Sequence, residues 1–305
     1  MKASMTSRGW LLFAAMCVIW GIPYLLIKVA VDDVSPSMLV LGRTSIAALL
    51  LLPVAAVRDE LRPVLRRWRI VVVFAAIEIA LPWVLLGWAE TRISSSLTAL
   101  LIAVTPLVGT AIAVAPGGHE RLTVERAAGL ALGVVGVAAI VGLGLEGASV
   151  PAVLAVVTVA VCYAVGPALI PRWMADLPSL GIIAVSLGLA AVAYVPITAL
   201  TGVGETPSRA AVASILALAV VCTAIAFLVF FALIGEIGPA RATVITYVNP
   251  AVAAVLGVAV LGESLTVGMG IGFVLVLAGS VLATRVGRVA DASSGPVLEP
   301  AANER

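Results

Sequence analysis

Apolar residues occur along this chain in ten long runs, and short segments between the runs hold most of the charges, prolines and glycines. Each run is about 18–25 residues long, the length at which an α-helix crosses the ~30 Å hydrocarbon core of a bilayer. The pattern predicts an all-α integral membrane protein with ten transmembrane helices. The predicted spans are Trp10–Ala30, Ser37–Val57, Ile70–Ala89, Ser94–Ala115, Ala127–Leu145, Val150–Ile170, Leu180–Leu200, Ala210–Ile234, Ala240–Leu261 and Val267–Thr284.

The composition supports a lipid environment. Of 305 residues, 62% are hydrophobic and 11% are charged, whereas soluble domains carry about 25% charged residues. The net charge of +2 gives no reason to expect a nucleic-acid partner. Cys17, Cys162 and Cys222 all lie in apolar runs without the spacing of metal ligands, so we expect neither a metal site nor a cofactor.

The basic residues predict how the chain is oriented. With a cytoplasmic N-terminus, 14 of the 18 Lys and Arg residues fall on the cytoplasmic side of the membrane. Only Arg92 and Arg209 fall on the other side, and Lys28 and Arg43 lie within helices. This bias follows the positive-inside rule. It predicts a multi-pass protein of the cytoplasmic (inner) membrane with both termini in the cytoplasm.

A sequence pattern recurs after 144 residues. The matching positions are Ile93…Thr105-Pro106…Glu120-Arg121-Leu122-Thr123 and Ile237…Asn249-Pro250…Glu263-Ser264-Leu265-Thr266. We therefore predict two five-helix repeats, residues 1–145 and 146–284, and a disordered cytoplasmic tail, residues 285–305. Because five is odd, the second repeat enters from the opposite side, and such inverted repeats are typical of transporters with a substrate site near the bilayer midplane.

Several motifs carry a resemblance to a known family. They are Trp20-Gly21, Arg43, Thr105-Pro106-Leu107 with Glu120-Arg121-Leu122-Thr123, and Asn249-Pro250 with Gly262-Glu263-Ser264-Leu265-Thr266. From about Trp10 to Thr284 the chain resembles two copies of the EamA-type domain of the drug/metabolite transporter superfamily. The resemblance implies a ten-helix exporter or carrier of metabolites, often amino acids or related compounds. The second half has Val165 in place of Trp20 and no arginine opposite Arg43, so any site is asymmetric.

Two ionisable residues lie deep in the predicted spans. Arg43 is about 10 Å inside the second span, and Glu78 is about 12 Å inside the third, at 1.5 Å per residue. A charge at such depth is costly unless it is paired or hydrated. One hypothesis is a structural ion pair between Glu78 and Arg43. The other is that Glu78 binds a substrate amine or a coupling proton.

Aromatic residues at similar depth are candidates for the walls of a substrate cavity, although packing or lipid contact would also explain them. They are Trp20 and Tyr24 in the first span, Trp83 in the third, Tyr163 in the sixth and Tyr247 in the ninth. Aromatic walls would suit an apolar or aromatic solute.

Proline-centred pairs provide further candidates. Pro106 and Pro250 each remove a backbone donor and free a carbonyl one turn earlier. Thr105 and Asn249 precede them, so each pair offers polar groups to a substrate or simply kinks its helix.

These features predict a secondary transporter that exports small metabolites, with a small-molecule substrate and membrane lipid as partners. A multidrug or amine efflux carrier is the alternative, and a membrane scaffold or sensor is an alternative from another class. An enzyme is not expected, because His119-Glu120 lacks the second histidine of a zinc-protease motif and no nucleotide-binding motif occurs. Small residues in Gly129–Gly133 and Gly268–Gly272 favour packing within the chain over dimerisation, and a homodimer stays open.

Overall fold

The computed structural model describes residues 5–115, 120–142 and 149–285. The part of the chain described folds into ten apolar helical segments, which we number α1 to α10. Their bounds are α1, Ser7–Val31; α2, Pro36–Val57; α3, Trp68–Glu90; α4, Ser95–Val114; α5, Val124–Gly142; α6, Val150–Trp173; α7, Ser179–Thr201; α8, Arg209–Ile237; α9, Ile245–Leu261; and α10, Val267–Arg285. Nine of these segments are long and apolar enough to span a membrane, and α9 is a shorter apolar helix.

Each predicted span overlaps one of these helices. The largest difference is in α9, which begins at Ile245 and not at Ala240, because a separate four-residue helix, Pro239–Ala242, precedes it. The predicted end of the fifth span at Leu145, the predicted tail after Thr284 except for Arg285, and His119 lie outside the described residues.

Two of the ten segments are interrupted. In α1, the halves α1a (Ser7–Ile19) and α1b (Pro23–Val31) are joined by a turn at Trp20–Ile22. In α4, the halves are α4a (Ser95–Ile102) and α4b (Thr105–Val114). The break in α4 follows from Pro106, which has no N–H to donate to the carbonyl one turn earlier.

Two further segments contain a π-helical turn. Ala76–Ala80 forms one within α3, and Val220–Ile225 forms the other within α8. In each case a side-chain hydroxyl donates to a carbonyl of the widened region: Tyr194 Oη to Ala80 (2.9 Å) and Thr223 Oγ1 to Leu218 (2.7 Å). Such turns are rare and occur frequently at functional sites.

The two halves pack against each other in matching pairs. The helix pairs α2–α7 and α5–α10 are extensive, and α3 lies on α6 as α8 lies on α1. Each helix of the first half corresponds to the helix five positions later in the second half. The α3–α6 contact therefore corresponds to the α8–α1 contact, and the α2–α7 and α5–α10 contacts each join a helix to its own counterpart. The glycines of α5 and α10 let their backbones approach closely: a Cβ added to Gly129 would lie 2.7 Å from the Gly279 carbonyl oxygen. Gly129, Gly133 and Gly272 thus pack closely on other helices of this chain, as predicted for Gly129–Gly133 and Gly268–Gly272, whereas Gly270 has open space beside it.

The loops form two faces. The arginine-rich face holds residues 58–67 and 174–178, joined by a bidentate ion pair from Arg67 to Asp176 (both contacts 2.8 Å). The opposite face holds residues 32–35 and 202–208, joined by an antiparallel bridge between Val34 and Gly204. There Ser208 donates two hydrogen bonds to Asp33, from its side chain and its backbone, and these lower the pKa of the Asp33 carboxyl.

The outward surfaces of the helices are apolar. Leu49, Val192 and Val255 are 73%, 72% and 65% exposed, respectively. Side chains of this kind would be unfavourable in water over so large a surface, but they are compatible with lipid tails.

Candidate functional site

The buried side chain of Arg43, in α2, is the centre of the candidate site. Its guanidinium lies over the Trp83 ring of α3, with Cζ 3.6 Å from the ring centroid. Both residues are buried. A desolvated cation on an indole face is attracted by about 2 kcal/mol or more, so Trp83 provides part of the stabilisation that a buried arginine requires.

The second partner of Arg43 comes from the other half of the chain. Arg43 Nε donates to Thr223 Oγ1 (2.9 Å), and Thr223 is fully buried in the π-helical turn of α8. Because the Thr223 hydroxyl donates its own proton to Leu218, it is oriented as an acceptor for Arg43. Among the described residues, no protein acceptor is hydrogen-bonded to Nη1 or Nη2 of Arg43, which leaves both nitrogens for a ligand.

Glu78 lies in the other π-helical turn, within α3. Its Oε2 atom is buried and has no hydrogen-bond partner among the described residues. This oxygen lies directly against Gly166 of α6, where an added Cβ would overlap it. The glycine therefore provides the space that the carboxylate occupies.

The expected ion pair between Glu78 and Arg43 is wrong for this structure. Arg43 uses Trp83 and Thr223 as its partners, and neither of the two salt bridges found among the described residues includes Glu78. The physical reason is that the Thr223 hydroxyl and the Trp83 ring stabilise the buried charge of Arg43, a role that the hypothesis gave to the Glu78 carboxylate. Glu78 is left with an acceptor that a donor from outside the protein would satisfy.

Two tyrosines connect these groups. Tyr163 of α6 packs in the same apolar cluster as Trp83 and lies within electrostatic range of both Arg43 and Glu78. Tyr24 of α1b lies within the same range of Arg43 and Tyr163. Of the residues predicted from the sequence, the structure therefore brings together Tyr24, Arg43, Glu78, Trp83 and Tyr163.

Other predicted residues lie elsewhere. Trp20 packs on the rings of Phe230 and Phe227 in the second half of α8, with centroid distances of 4.7 and 6.0 Å. Tyr247 is half-buried in the first turn of α9. Trp20 therefore lies in an aromatic group with Phe227 and Phe230, and Phe227 connects this group to the apolar cluster that contains Trp83.

The polar residues of the proline-centred pairs hydrogen-bond to backbone carbonyls, within the same helix for Thr105 and also in a neighbouring helix for Asn249. Thr105 Oγ1 donates to the Ile102 carbonyl (2.7 Å). Pro106 has no N–H and so cannot donate to this carbonyl. The amide nitrogen of Asn249, which is 8% exposed, donates to the carbonyl of Cys17 beside the break in α1 (3.1 Å). Pro250 is buried within α9 without breaking it. Both polar side chains thus satisfy backbone carbonyls.

Three polar residues in the structure were not among the predicted site residues. Thr223 is 180 residues from Arg43, so only the fold brings it to the guanidinium. Glu90 falls just beyond the end of the predicted third span, and Glu263 was identified only as part of the repeated motif. The sequence contained one signal for a polar group here, because Lys28 lies near the corresponding end of the first span. In the structure Lys28 Nζ donates to the Glu90 carbonyl (2.6 Å).

Comparison with known proteins identifies the family. The model of the EamA-like transporter family matches residues 7–142 and again residues 150–285. This chain belongs to the EamA-like transporter family. The two matched regions each contain five of the ten helices and the corresponding π-helical turn. Membership in the EamA-like family therefore points to a transporter and not to an enzyme.

Two relatives extend this comparison. The uncharacterized transporter YvbV of Bacillus subtilis (strain 168) is 28% identical over 310 residues, which cover 99% of this chain and all of YvbV. A crystal structure of a protein with 21% sequence identity has the same fold, with a TM-score of 0.66 over 93% of this chain and 99% of that chain. The EamA-like chain is thus a multi-pass membrane transporter with a small-molecule substrate and a lipid environment.

Proposed function

We propose that this chain is a secondary transporter of amino acids or related apolar and aromatic metabolites. The proposal rests on the side chains of Arg43 and Glu78, which keep hydrogen-bonding atoms available for a ligand. Among the residues that the structure describes, the two terminal nitrogens of Arg43 and the Oε2 atom of Glu78 have no hydrogen-bond partner. A zwitterionic solute would place its carboxylate on the guanidinium and its ammonium on Glu78, and charge-assisted hydrogen bonds of this kind are strong.

Alternating access between two inverted repeats, residues 1–145 and 146–284, fits the matching helix pairs. The group around Arg43 draws on α1, α2, α3, α6 and α8, and so on both halves. Rocking one half against the other would expose such a group to each side in turn. We assign the arginine-rich face to the cytoplasm on the positive-inside rule, and export follows from the family resemblance.

Amine efflux is the second candidate. Arg43 already interacts with Trp83 and Thr223, so Glu78 alone would serve as the anchor for a cationic drug or amine. The two candidates differ in whether the substrate requires a carboxylate.

Counterflow in proteoliposomes tests the proposal. Vesicles containing purified protein are preloaded with one unlabelled solute, and uptake of the same labelled solute is followed. We expect counterflow for an aromatic or apolar amino acid and a much weaker signal for its amide and for the corresponding amine. Counterflow for amines alone would establish the efflux alternative. A panel of amino acids, amines and drugs with no signal above that of protein-free vesicles would reject transport and leave a scaffold or sensor.

A further inference from the structure

The opposite face is closed by a second polar cluster, which borders the site around Arg43 through Tyr24. The cluster contains Lys28 and Tyr24 of α1b, Glu90 at the end of α3, and Glu263 in the loop between α9 and α10. On this face α4a packs on α1b and α9. The other half, α4b, packs on α5, α6 and α10. The contact of α4a with α9 is the most extensive that α4 makes, and it closes the opposite face.

Glu263 fastens this closed face. Its Oε1 atom accepts from the backbone and hydroxyl of Ser95 (2.7 and 2.9 Å), and its Oε2 atom accepts from those of Ser96 (2.9 and 2.5 Å). Both serines are in the first turn of α4a. Gly257 of α9 lies so close that an added Cβ would overlap Ser96 Oγ.

Glu263 stays ionised over the neutral and mildly acidic range. Partial burial acts to raise its pKa, but the hydrogen bonds from Ser95 and Ser96 outweigh burial and lower the pKa below its usual range. Because its pKa is lowered, ionised Glu263 stabilises the closed face at neutral pH. This stabilisation is lost only as the pH falls through the lowered pKa. A pH response near neutrality would therefore need another group.

Glu90 is that group. It is fully buried, and neither carboxylate oxygen has a hydrogen-bond partner among the described residues. In the structure Lys28 Nζ donates to the backbone carbonyl of Glu90 and not to its carboxylate. The titratable and charged groups facing Glu90 from the packed elements are Lys28 and Tyr24 on α1b and Glu263.

An ionised carboxylate in this position would be strongly unfavourable. It would be removed from water without a hydrogen-bond donor, which is the largest effect. Lys28 would attract the charge and Glu263 would repel it, and both effects are smaller than the cost of burial. A neutral carboxyl avoids that cost. Opening the face would admit water, and the carboxyl could then lose its proton to that water.

We propose that Glu90 is a proton-binding site whose protonation closes the opposite face. The carboxyl O–H bond breaks when the face opens, and the proton passes to water on that side. Closure requires a proton to return to the same carboxyl. Acidic conditions therefore favour the closed face, and alkaline conditions favour the open one. The inference rests on the proposed alternating-access function.

Pulsed electron paramagnetic resonance measures this closure without measuring transport. Spin labels are attached at Asp32→Cys and Ser264→Cys, two exposed positions on either side of the cluster, after the native cysteines are replaced by alanine. The label–label distance is recorded in lipid nanodiscs from acidic to alkaline buffer. We expect a shift from a short to a long distance as the pH rises.

The variants decide the role of Glu90. Glu90→Gln keeps the shape of the neutral carboxyl, so we expect the short distance at every pH. The matched control is Glu205→Gln, an exposed carboxylate on the same face, which should retain the full shift. Glu90→Asp should retain a shift with a displaced midpoint. If Glu90→Gln is not stably folded, infrared difference spectra of the native protein and Glu90→Asp provide the second measurement, through the C=O band of a protonated carboxyl.

Three results would overturn the proposal: no pH-dependent distance in the native protein, a full shift in Glu90→Gln, or no titrating carboxyl band. These outcomes are distinguishable from failure of the proposed function. A protein that shows no counterflow but opens with pH through Glu90 would retain the proton site and lose the transport proposal.

Discussion

Replacement of Glu78 by glutamine tests the candidate binding site. The substitution keeps the size of the side chain beside Gly166 and removes its charge. Within the part of the chain that the structure describes, Glu78 Oε2 has no hydrogen-bond partner, so the substitution breaks no hydrogen bond there. We expect the amount of folded protein and its melting temperature to remain close to those of the native chain.

The expected loss is in substrate affinity. A hydrogen bond to a charged group contributes about 1.5–3 kcal/mol, and about 1.4 kcal/mol corresponds to a factor of ten. If Glu78 accepts the ammonium of the substrate, Glu78→Gln should raise the KM for transport by about 10- to 100-fold. The maximal rate should change less, since the substitution leaves the helices and their packing in place.

Initial rates of counterflow over a range of substrate concentrations measure this change. The matched control is Glu125→Gln, because Glu125 is exposed in the first turn of α5 and should have the native KM. A native KM in Glu78→Gln would refute the assigned role. An unstable Glu78→Gln protein that Arg43→Gln restores would instead show that the two side chains form an ion pair in another conformation.

Three further substitutions test how the helices pack, at the site and away from it. Gly166→Ala should impair transport as strongly as Glu78→Gln in the same counterflow assay, because the new methyl group displaces the carboxylate; native transport would show that the carboxylate tolerates the shift. Gly136→Ala should lower the melting temperature, since its Cβ would lie 2.8 Å from a backbone oxygen of α10, whereas Gly270→Ala meets nothing within 4 Å and should not; equal melting temperatures would contradict this packing. Asn249→Ala should destabilise the protein by about 1–3 kcal/mol in denaturant unfolding, since the Cys17 carbonyl loses its donor, and unchanged stability would mean that water replaces the amide.

The hydrophobic pattern predicted the helices well for a physical reason. A segment that crosses lipid needs about 20 apolar residues, and the loops must hold the charges, so both signals are local in sequence. The breaks in α1 and α4 were also foreseeable in part, because Gly21 and Pro106 act on their own backbone. The predicted depth of Arg43 and Glu78 followed from counting residues along a helix.

The partners of these side chains were not predictable in the same way. The sequence offers Arg43 three kinds of partner, an aromatic face, a hydroxyl and a carboxylate, and which of them it meets depends on how α2, α3 and α8 rotate against one another. Thr223 accepts from Arg43 only because the π-helical turn directs its own proton to Leu218. Glu90 falls just beyond the end of the predicted third span, where a charge is usually solvated. The fold buries it through contacts with α1b and the loop after α9.

Access to the site from both sides of the membrane is the most direct test of alternating access. Cys222 lies beside Thr223 and is within electrostatic range of Arg43, so it reports on this site when Cys17 and Cys162 are replaced by alanine. A small, charged, membrane-impermeant thiol reagent is applied to oriented vesicles, first from one side and then from the other. We expect Cys222 to react from each side and to be protected from both by a substrate identified in counterflow. Reaction from one side only, or from both sides with no protection by substrate, would contradict a single site that faces each side in turn.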